Sequence, residues 1–342
     1  LSGNLIELTL RHGSITEHIP KSYLAESGRE LRVRFQKIGM DMYGYSVPNY
    51  ALHQTLVIDP TPSLKWGTYF GGSKDDGGSC IATDQNNGIY IGGSTTSTSS
   101  IATVGAHQVV YVGTDPFYYD NFIAAFTKDG ARRCITYNGG SRSDDIAGID
   151  VDASGNVFVV GTTESDTGIA TSGAYQVTKR GSLNSSSNAF VASFTNSGVR
   201  RWATYYGGKD GERGSFGTDL TVSNSGNVLI TGLATASDAI ATAGTHQLSN
   251  AGNSDAFIAS FSNTGVRQWG TYFGGGLNDH STGISTDKNG NVYITGVTAS
   301  TGGIVPTGSS VHQSSLKGSD DAFVAKFTST GTLVWSTYYG GD

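Results

Sequence analysis

The chain has 342 residues and a formal charge of -6, with 49 Gly, 6 Pro and 37% hydrophobic residues. An acidic balance without a dense basic cluster argues against a nucleic-acid partner, and 17 Tyr, 14 Phe and 4 Trp supply packing surface that a disordered chain lacks. No Gly-x-y period and no apolar run of membrane-spanning length occur, so neither a collagen helix nor membrane insertion is expected.

Residues 1–60 alternate apolar with polar side chains at Leu5–Leu10 and again at Glu30–Phe35, the pattern of half-buried strands. A further short strand, Thr55–Asp59, stops at Pro60. This stretch reads as a small β domain, cut short at Leu1, which is not an initiator methionine. The chain is therefore expected to be a piece of a longer, processed or truncated protein.

From Trp66 onward one heptapeptide recurs: Trp66–Gly72, Cys134–Gly140, Trp202–Gly208, Trp269–Gly275 and Trp335–Gly341. Its tyrosines, Tyr69, Tyr137, Tyr205, Tyr272 and Tyr338, are spaced 68, 68, 67 and 66 residues apart, and spacing this even marks an array of one stacked unit. The second unit is the cleanest. Ile146–Asp152 is a first strand, Val157–Gly161 a second, Ala189–Phe194 a third and Arg201–Tyr206 a fourth, with a long Ser/Thr/Gly connection at 162–187. Asn87-Gly88, Asp129-Gly130, Ser225-Gly226, Asn289-Gly290 and Thr330-Gly331 provide hairpin turns.

Four antiparallel strands per unit, joined by a link of constant composition, predict an all-β chain folded as a β-propeller of four-stranded blades. Four complete blades are expected at about 73–139, 141–207, 209–274 and 276–341, with a half blade at 55–70 and the propeller region running over 61–342. A β-solenoid would need shorter coils. A ring that closes by mixing terminal strands would draw the missing half blade from beyond residue 342.

The motifs Thr-Tyr-[Phe/Tyr]-Gly-Gly, Gly-Asn-Val-[Tyr/Phe]-[Ile/Val]-x-Gly, Asp-Ala-Phe-[Ile/Val]-Ala-x-Phe and Gly-x-x-x-Trp, in that order over residues 64–342, resemble the SBBP repeat of bacterial β-propellers. Residues 1–60 resemble the end of the β domain that commonly precedes such repeats. The resemblance implies a secreted or cell-surface bacterial protein, non-enzymatic, serving as a scaffold or binding platform in adhesion or surface assembly, with a protein or glycan as partner. Two alternatives stand beside it: a carbohydrate-active enzyme or glycan-binding propeller, and a structural subunit of a surface filament or secretion complex.

Candidate chemistry is sparse. Asp76, Asp144, Glu212 and Asp279 recur after the Gly-Gly pair, and Asp120, Asn188, Asp255 and Asp321 recur before the third strand. Clustered carboxylates suit calcium, whereas short acidic side chains in every unit suit turns that need their backbone amides held. His107, His246 and His312 correspond to one another and to Tyr175, an exchange that fits loop packing better than metal ligation. Cys134 holds the place of a tryptophan, and Arg132-Arg133 and Arg200-Arg201 read as solvated strand edges. No Gly-x-Ser-x-Gly elbow and no phosphate loop occur, so no catalytic or cofactor-binding residue is assigned. The aromatics Tyr111, Phe117, Tyr118 and Tyr119 lie in a connection that the other units lack, and could bind a partner or seal the first blade against the preceding domain.

Overall fold

A computed structural model describes residues 5–341 except 11–12, 20, 40–41, 49, 52, 60–64, 116, 182–185 and 209–213. Its backbone contacts divide the chain into two compact units, Leu1–Thr68 with Gln85–Asn87, and Tyr69–Asp84 with Gly88–Asp342.

Among the described residues the first unit holds three two-stranded antiparallel sheets: β1 (Leu5–Leu10) with β2 (Gly13–His18), β3 (Lys21–Leu24) with β6 (Leu56–Asp59), and β4 (Arg34–Lys37) with β5 (Tyr43–Ser46). Of the alternating stretch Glu30–Phe35, only the end becomes a strand, because Leu31 N–H donates to Ser22 O across the β3 turn and Glu30 bridges Tyr23. Of the expected 55–70 half blade, residues 60–64 lie outside the described residues. Its first half, β6, pairs with β3 in register from Lys21↔Asp59 to Leu24↔Leu56, and residues 65–72 take no regular secondary structure.

Among the described residues the second unit contains sixteen strands in four sheets of four. They are β7 (Asp76–Thr83), β8 (Ile89–Thr95), β9 (Asp120–Phe126) and β10 (Arg132–Asn138), followed by β11 (Asp144–Val151), β12 (Val157–Thr163), β13 (Asn188–Phe194) and β14 (Arg200–Tyr206). The third sheet is β15 (Ser215–Val222), β16 (Val228–Ala234), β17 (Asp255–Phe261) and β18 (Arg267–Phe273). The fourth is β19 (Asp279–Thr286), β20 (Val292–Thr298), β21 (Asp321–Phe327) and β22 (Leu333–Tyr339). Within each sheet the strands run in sequence order and pair antiparallel, the arrangement of propeller blades.

Local chemistry explains the hairpins. Asp152 Oδ1 accepts from Ser154 N–H and Asn156 N–H at 2.9 and 2.8 Å, which places Gly155 at φ 79° where a side chain would be strained. In the first blade the same left-handed position is held by Asn87 at φ 60°. Each first strand carries a bulge, as at Ile146/Gly148, and β11 and β15 each bond the next first strand: Asp150 Oδ2 accepts from Val222 N–H at 2.7 Å, and Asp219 Oδ2 from Ile284 N–H at 2.9 Å. First strands therefore adjoin in series, with β11 between β7 and β15, and β19 beyond β15.

Three of the four hydrophobic clusters among the described residues lie between sheets, and the fourth lies in the first blade. Tyr90 and Ile123 of the first blade pack with Ile146, Val159 and Phe190 of the second, Trp202 and Tyr206 of the second pack with Phe257 and Phe261 of the third, and Trp269 and Phe273 of the third pack with Phe323 and Phe327 of the fourth. Burial of both faces is what a stacked unit needs, since none can cover its own aromatics. Phe70, outside any strand, still packs its ring on Phe122 and Phe126 at 4.8 and 6.0 Å, the place that Tyr206 and Phe273 fill at the later junctions. Tyr69 beside it is fully exposed, unlike the other four marker tyrosines.

Candidate functional site

The recurring side chains converge on the links between blades. Asp144 opens β11 and is fully buried. Its Oδ2 accepts from Gly140 N–H at 2.7 Å and Ser165 Oγ at 2.9 Å, and its Oδ1 accepts from Thr163 Oγ1. Asp279 Oδ2 accepts from Gly275 N–H and Ser300 Oγ at 2.7 and 2.8 Å, and Asp76 Oδ2 from Gly72 N–H and Ser97 Oγ at 2.7 and 3.0 Å. These bonds aim hydrogens at the carboxylate and hold the sharp turn from one blade to the next. Among the described residues no group of three or more His, Cys, Asp or Glu stands ready to hold a metal ion. Glu212 lies outside the described residues, and the position that opens the third blade is occupied by Ser215.

A second network rests on glutamines. Gln108, Gln176, Gln247 and Gln313 each donate Nε2 to the residue that opens the third strand: Asp120 at 3.3 Å, Asn188 at 3.0 Å, Asp255 at 2.5 Å and Asp321 at 2.6 Å. Each Oε1 accepts from the first glycine of the link, Gly139, Gly207, Gly274 or Gly340, at 3.0 to 3.2 Å. The marker tyrosines complete the frame. Tyr137, Tyr205, Tyr272 and Tyr338 donate their hydroxyls to Ser97, Ser165, Ala236 and Ser300 carbonyls at 2.7 to 2.9 Å. The signal for the glutamines was present in the sequence, since each follows a member of the His/Tyr set.

The two acidic sets meet across the links. A Cβ on Gly139 would stand 2.7 Å from Asp120 Oδ1 and 3.0 Å from Asp144 Oδ2; at Gly274 the same point lies 2.6 Å from Asp255 Oδ1 and 2.8 Å from Asp279 Oδ2. Burial pushes Asp120 and Asp255 up to about 6 and Asp144 up to about 7, the neighbouring Asp120 charge adding to the last. At the middle junction, among the described residues, Asn188 and Ser215 open the corresponding strands in place of the two carboxylates.

His107 packs on Phe194, His246 on Phe273 and Phe327, His312 on Tyr339 and Tyr175 on Tyr206 and Phe261, all at ring-centroid distances of 5.8 to 6.3 Å. Burial pushes His107 down to about 4, with Arg200 reinforcing it, and lowers His246 as well. The tryptophans pin the next blade's hairpin: Trp202 Nε1 donates to Asn263 O at 2.8 Å and Trp269 Nε1 to Ser329 O at 2.9 Å. Cys134 Sγ points at the equivalent Asn196 carbonyl, 3.4 Å away.

The first blade's aromatic insertion does not present one face. Tyr111 turns inward, its hydroxyl donating to Tyr118 O and its ring lying edge-on to Tyr137 at 6.3 Å. Phe117 is 86% exposed, held at its backbone by Asp115 Oδ1 accepting from Phe117 N–H at 2.9 Å. Tyr119 is partly exposed and Tyr118 half-buried.

Of the paired arginines, Arg132 and Arg133 are exposed as expected, whereas Arg200 and Arg201 differ. Arg200 and Arg201 are half-buried, because the next blade's hairpin and the long connection fold over them. Arg200 Nη1 donates to Gly168 O and Ile169 O at 3.0 and 2.8 Å, and Arg201 Nη1 to Ser193 Oγ and Asn263 O at 3.0 and 3.3 Å. Arg201 and Trp202 line one wall of a cleft of about 420 Å³ between the second and third blades, and Arg267 and Tyr175 line another.

The segment at the junction of the third and fourth blades has a counterpart among known families. Residues 268–303 match the model of SBBP, a β-propeller repeat. That segment runs from β18 through the Gly274–Asp279 link and across β19 and β20. Among solved structures, the chain is similar to a protein of unknown function from Bacteroides caccae, at 10% identity and a TM-score of 0.28, over 78% of this chain and 83% of that one. No curated protein matches the chain.

Proposed function

We propose that this β-propeller repeat protein is a non-enzymatic scaffold of the bacterial cell surface or exterior, whose blades hold irregular connections out as a platform for a protein or glycan partner. One observation carries the reading: the chemistry-bearing side chains that recur from blade to blade are spent on the fold. The carboxylates of Asp76, Asp144 and Asp279 receive hydrogen bonds from their own links, and the glutamines bridge those links to the third strands. What varies between blades lies in the long connections and their neighbours, where loops on a rigid frame commonly carry recognition. Adhesion or surface assembly follows from the resemblance to surface repeats.

Two measurements test this. Protease treatment of intact producing cells should release or cleave the protein while leaving cytoplasmic markers whole, and a panel of polysaccharides and peptides should show no turnover by the purified chain. Protection of the protein in intact cells, or hydrolysis that survives repurification, would overturn the proposal.

A further inference from the structure

The cleft between the second and third blades departs from the repeat in its charge. Trp202 has counterparts at Cys134, Trp269 and Trp335, and Tyr175 at His107, His246 and His312. At the next junction Gln268 stands where Arg201 does and Leu333 where Arg267 does. At the preceding junction Arg133 lies 3.9 Å from the Asp84 carboxylate and Arg200 is spent on two loop carbonyls. The 2–3 cleft thus combines two guanidinium groups with a tyrosine and a tryptophan, in a protein of formal charge -6, and none of its described lining residues is a carboxylate.

Both arginines are held in place before any ligand arrives. Arg201 is anchored through Nη1 alone, so Nε and Nη2 have no protein partner among the described residues. Arg267 lies over the Tyr175 ring at 4.9 Å and the Tyr206 ring at 5.7 Å and donates Nη2 to Ile240 O, while its Nε is buried without a hydrogen-bond acceptor among the described residues. Neither enters an ion pair among the described residues. An anchored planar fork loses little rotamer freedom on binding and matches a carboxylate in two parallel bonds. Around these charges lie the exposed Ser172, the Thr264 hydroxyl, the open backbone at Gly173 and the apolar face of Val266, a mixture that suits a ring bearing hydroxyls on one side and C–H groups on the other. A cleft of about 420 Å³ has room for about one or two such rings.

We infer that this cleft binds an acidic carbohydrate, with Arg201 receiving the carboxylate of a uronic-acid residue and Arg267 with Tyr175 forming the cationic wall beside it. The inference rests on the platform reading and gives that platform a ligand class. The test is calorimetric titration of the full chain with trigalacturonate, a neutral glucan trimer of equal size and a tri-glutamate peptide. Trigalacturonate should bind with a Kd below about 1 mM, the glucan should not bind at about 10 mM, and the peptide should bind at least about tenfold more weakly. Arg201→Gln and Arg267→Leu introduce residues that the next junction already carries, so both variants should keep the wild-type melting temperature while losing about tenfold or more in affinity. If Arg267→Leu does not fold, Arg201→Gln alone decides.

No binding of trigalacturonate at about 10 mM would overturn the inference, as would equal binding of the glucan, tighter binding of the peptide, or undiminished affinity in a folded Arg201→Gln. A negative result here leaves surface exposure and lack of turnover untouched, so failure of the cleft and failure of the platform are told apart.

Discussion

Replacing Asp120 by Asn isolates the buried carboxylates at the blade links. The change has a precedent inside the protein, since Asn188 holds the equivalent position with Oδ1 accepting from Gln176 Nε2 and Arg180 N–H at 3.0 and 2.9 Å. In the wild type the fully buried Asp120 carboxyl is raised from 3.8 to about 6 by burial, against the hydrogen bonds from Val112 N–H and Gln108. A raised folded value means that the native state holds a proton that the unfolded chain releases. Its contribution is full below the unfolded value near 3.8 and is lost as pH rises through about 6. Two units at about 1.4 kcal/mol each set a ceiling of about 3 kcal/mol, and relaxation around the site brings the expected effect between pH 4.5 and 7.5 to about 1–2 kcal/mol. His107 and His246, buried neutral, push the other way below pH 6.5, but they do so equally in both proteins and cancel in the difference. Urea titrations at the two pH values should therefore show Asp120→Asn gaining about 1–2 kcal/mol on the wild type as pH rises. Parallel stability curves would refute the claim that this carboxylate is protonated in the fold.

Three further outcomes can be checked. Gly161→Ala should destabilise by more than about 3 kcal/mol in urea titration, because its Cβ would sit 1.8 Å from the Asp145 carbonyl oxygen on the neighbouring strand. The buried pair Asn121 and Asn138, opposite each other on β9 and β10, leaves Asn121 Nδ2 and Oδ1 and Asn138 Nδ2 without partners among the described residues, where the other blades place Ala189–Tyr206, Ala256–Phe273 and Ala322–Tyr339. Asn121→Ala with Asn138→Tyr should raise stability by about 1–3 kcal/mol, read as a higher urea midpoint. Burial pushes the Cys80 thiol up to about 11, so at pH 8 it should react with a disulfide reagent far more slowly in the native protein than in urea.

The strands, hairpins and period were legible because a blade repeats its needs: an aromatic at each fourth strand, a turn glycine, a link glycine. Residues 65–72 carry the same letters without becoming a strand, since a strand needs a hydrogen-bonding neighbour that letters do not supply. Equal spacing pointed to Glu212, yet β14 ends at Tyr206 and β15 begins only at Ser215, against Asn138 and Asp144 at the preceding link. The longer link is offset by a shorter connection elsewhere in the unit, so the period hides the shift. The Arg201–Arg267 cleft was not legible at all: its two arginines lie 66 residues apart and meet because successive blades stack.

The indole bonds from Trp202 to Asn263 and from Trp269 to Ser329 each cross from one sheet to its successor. Such a chain of neighbour-to-neighbour ties makes each sheet's solidity conditional on the one it leans against. Under tension or heat, loss of one sheet would deprive its neighbour of a brace, so disassembly should pass from sheet to sheet as a sequence of steps, like a row of books after one is pulled away.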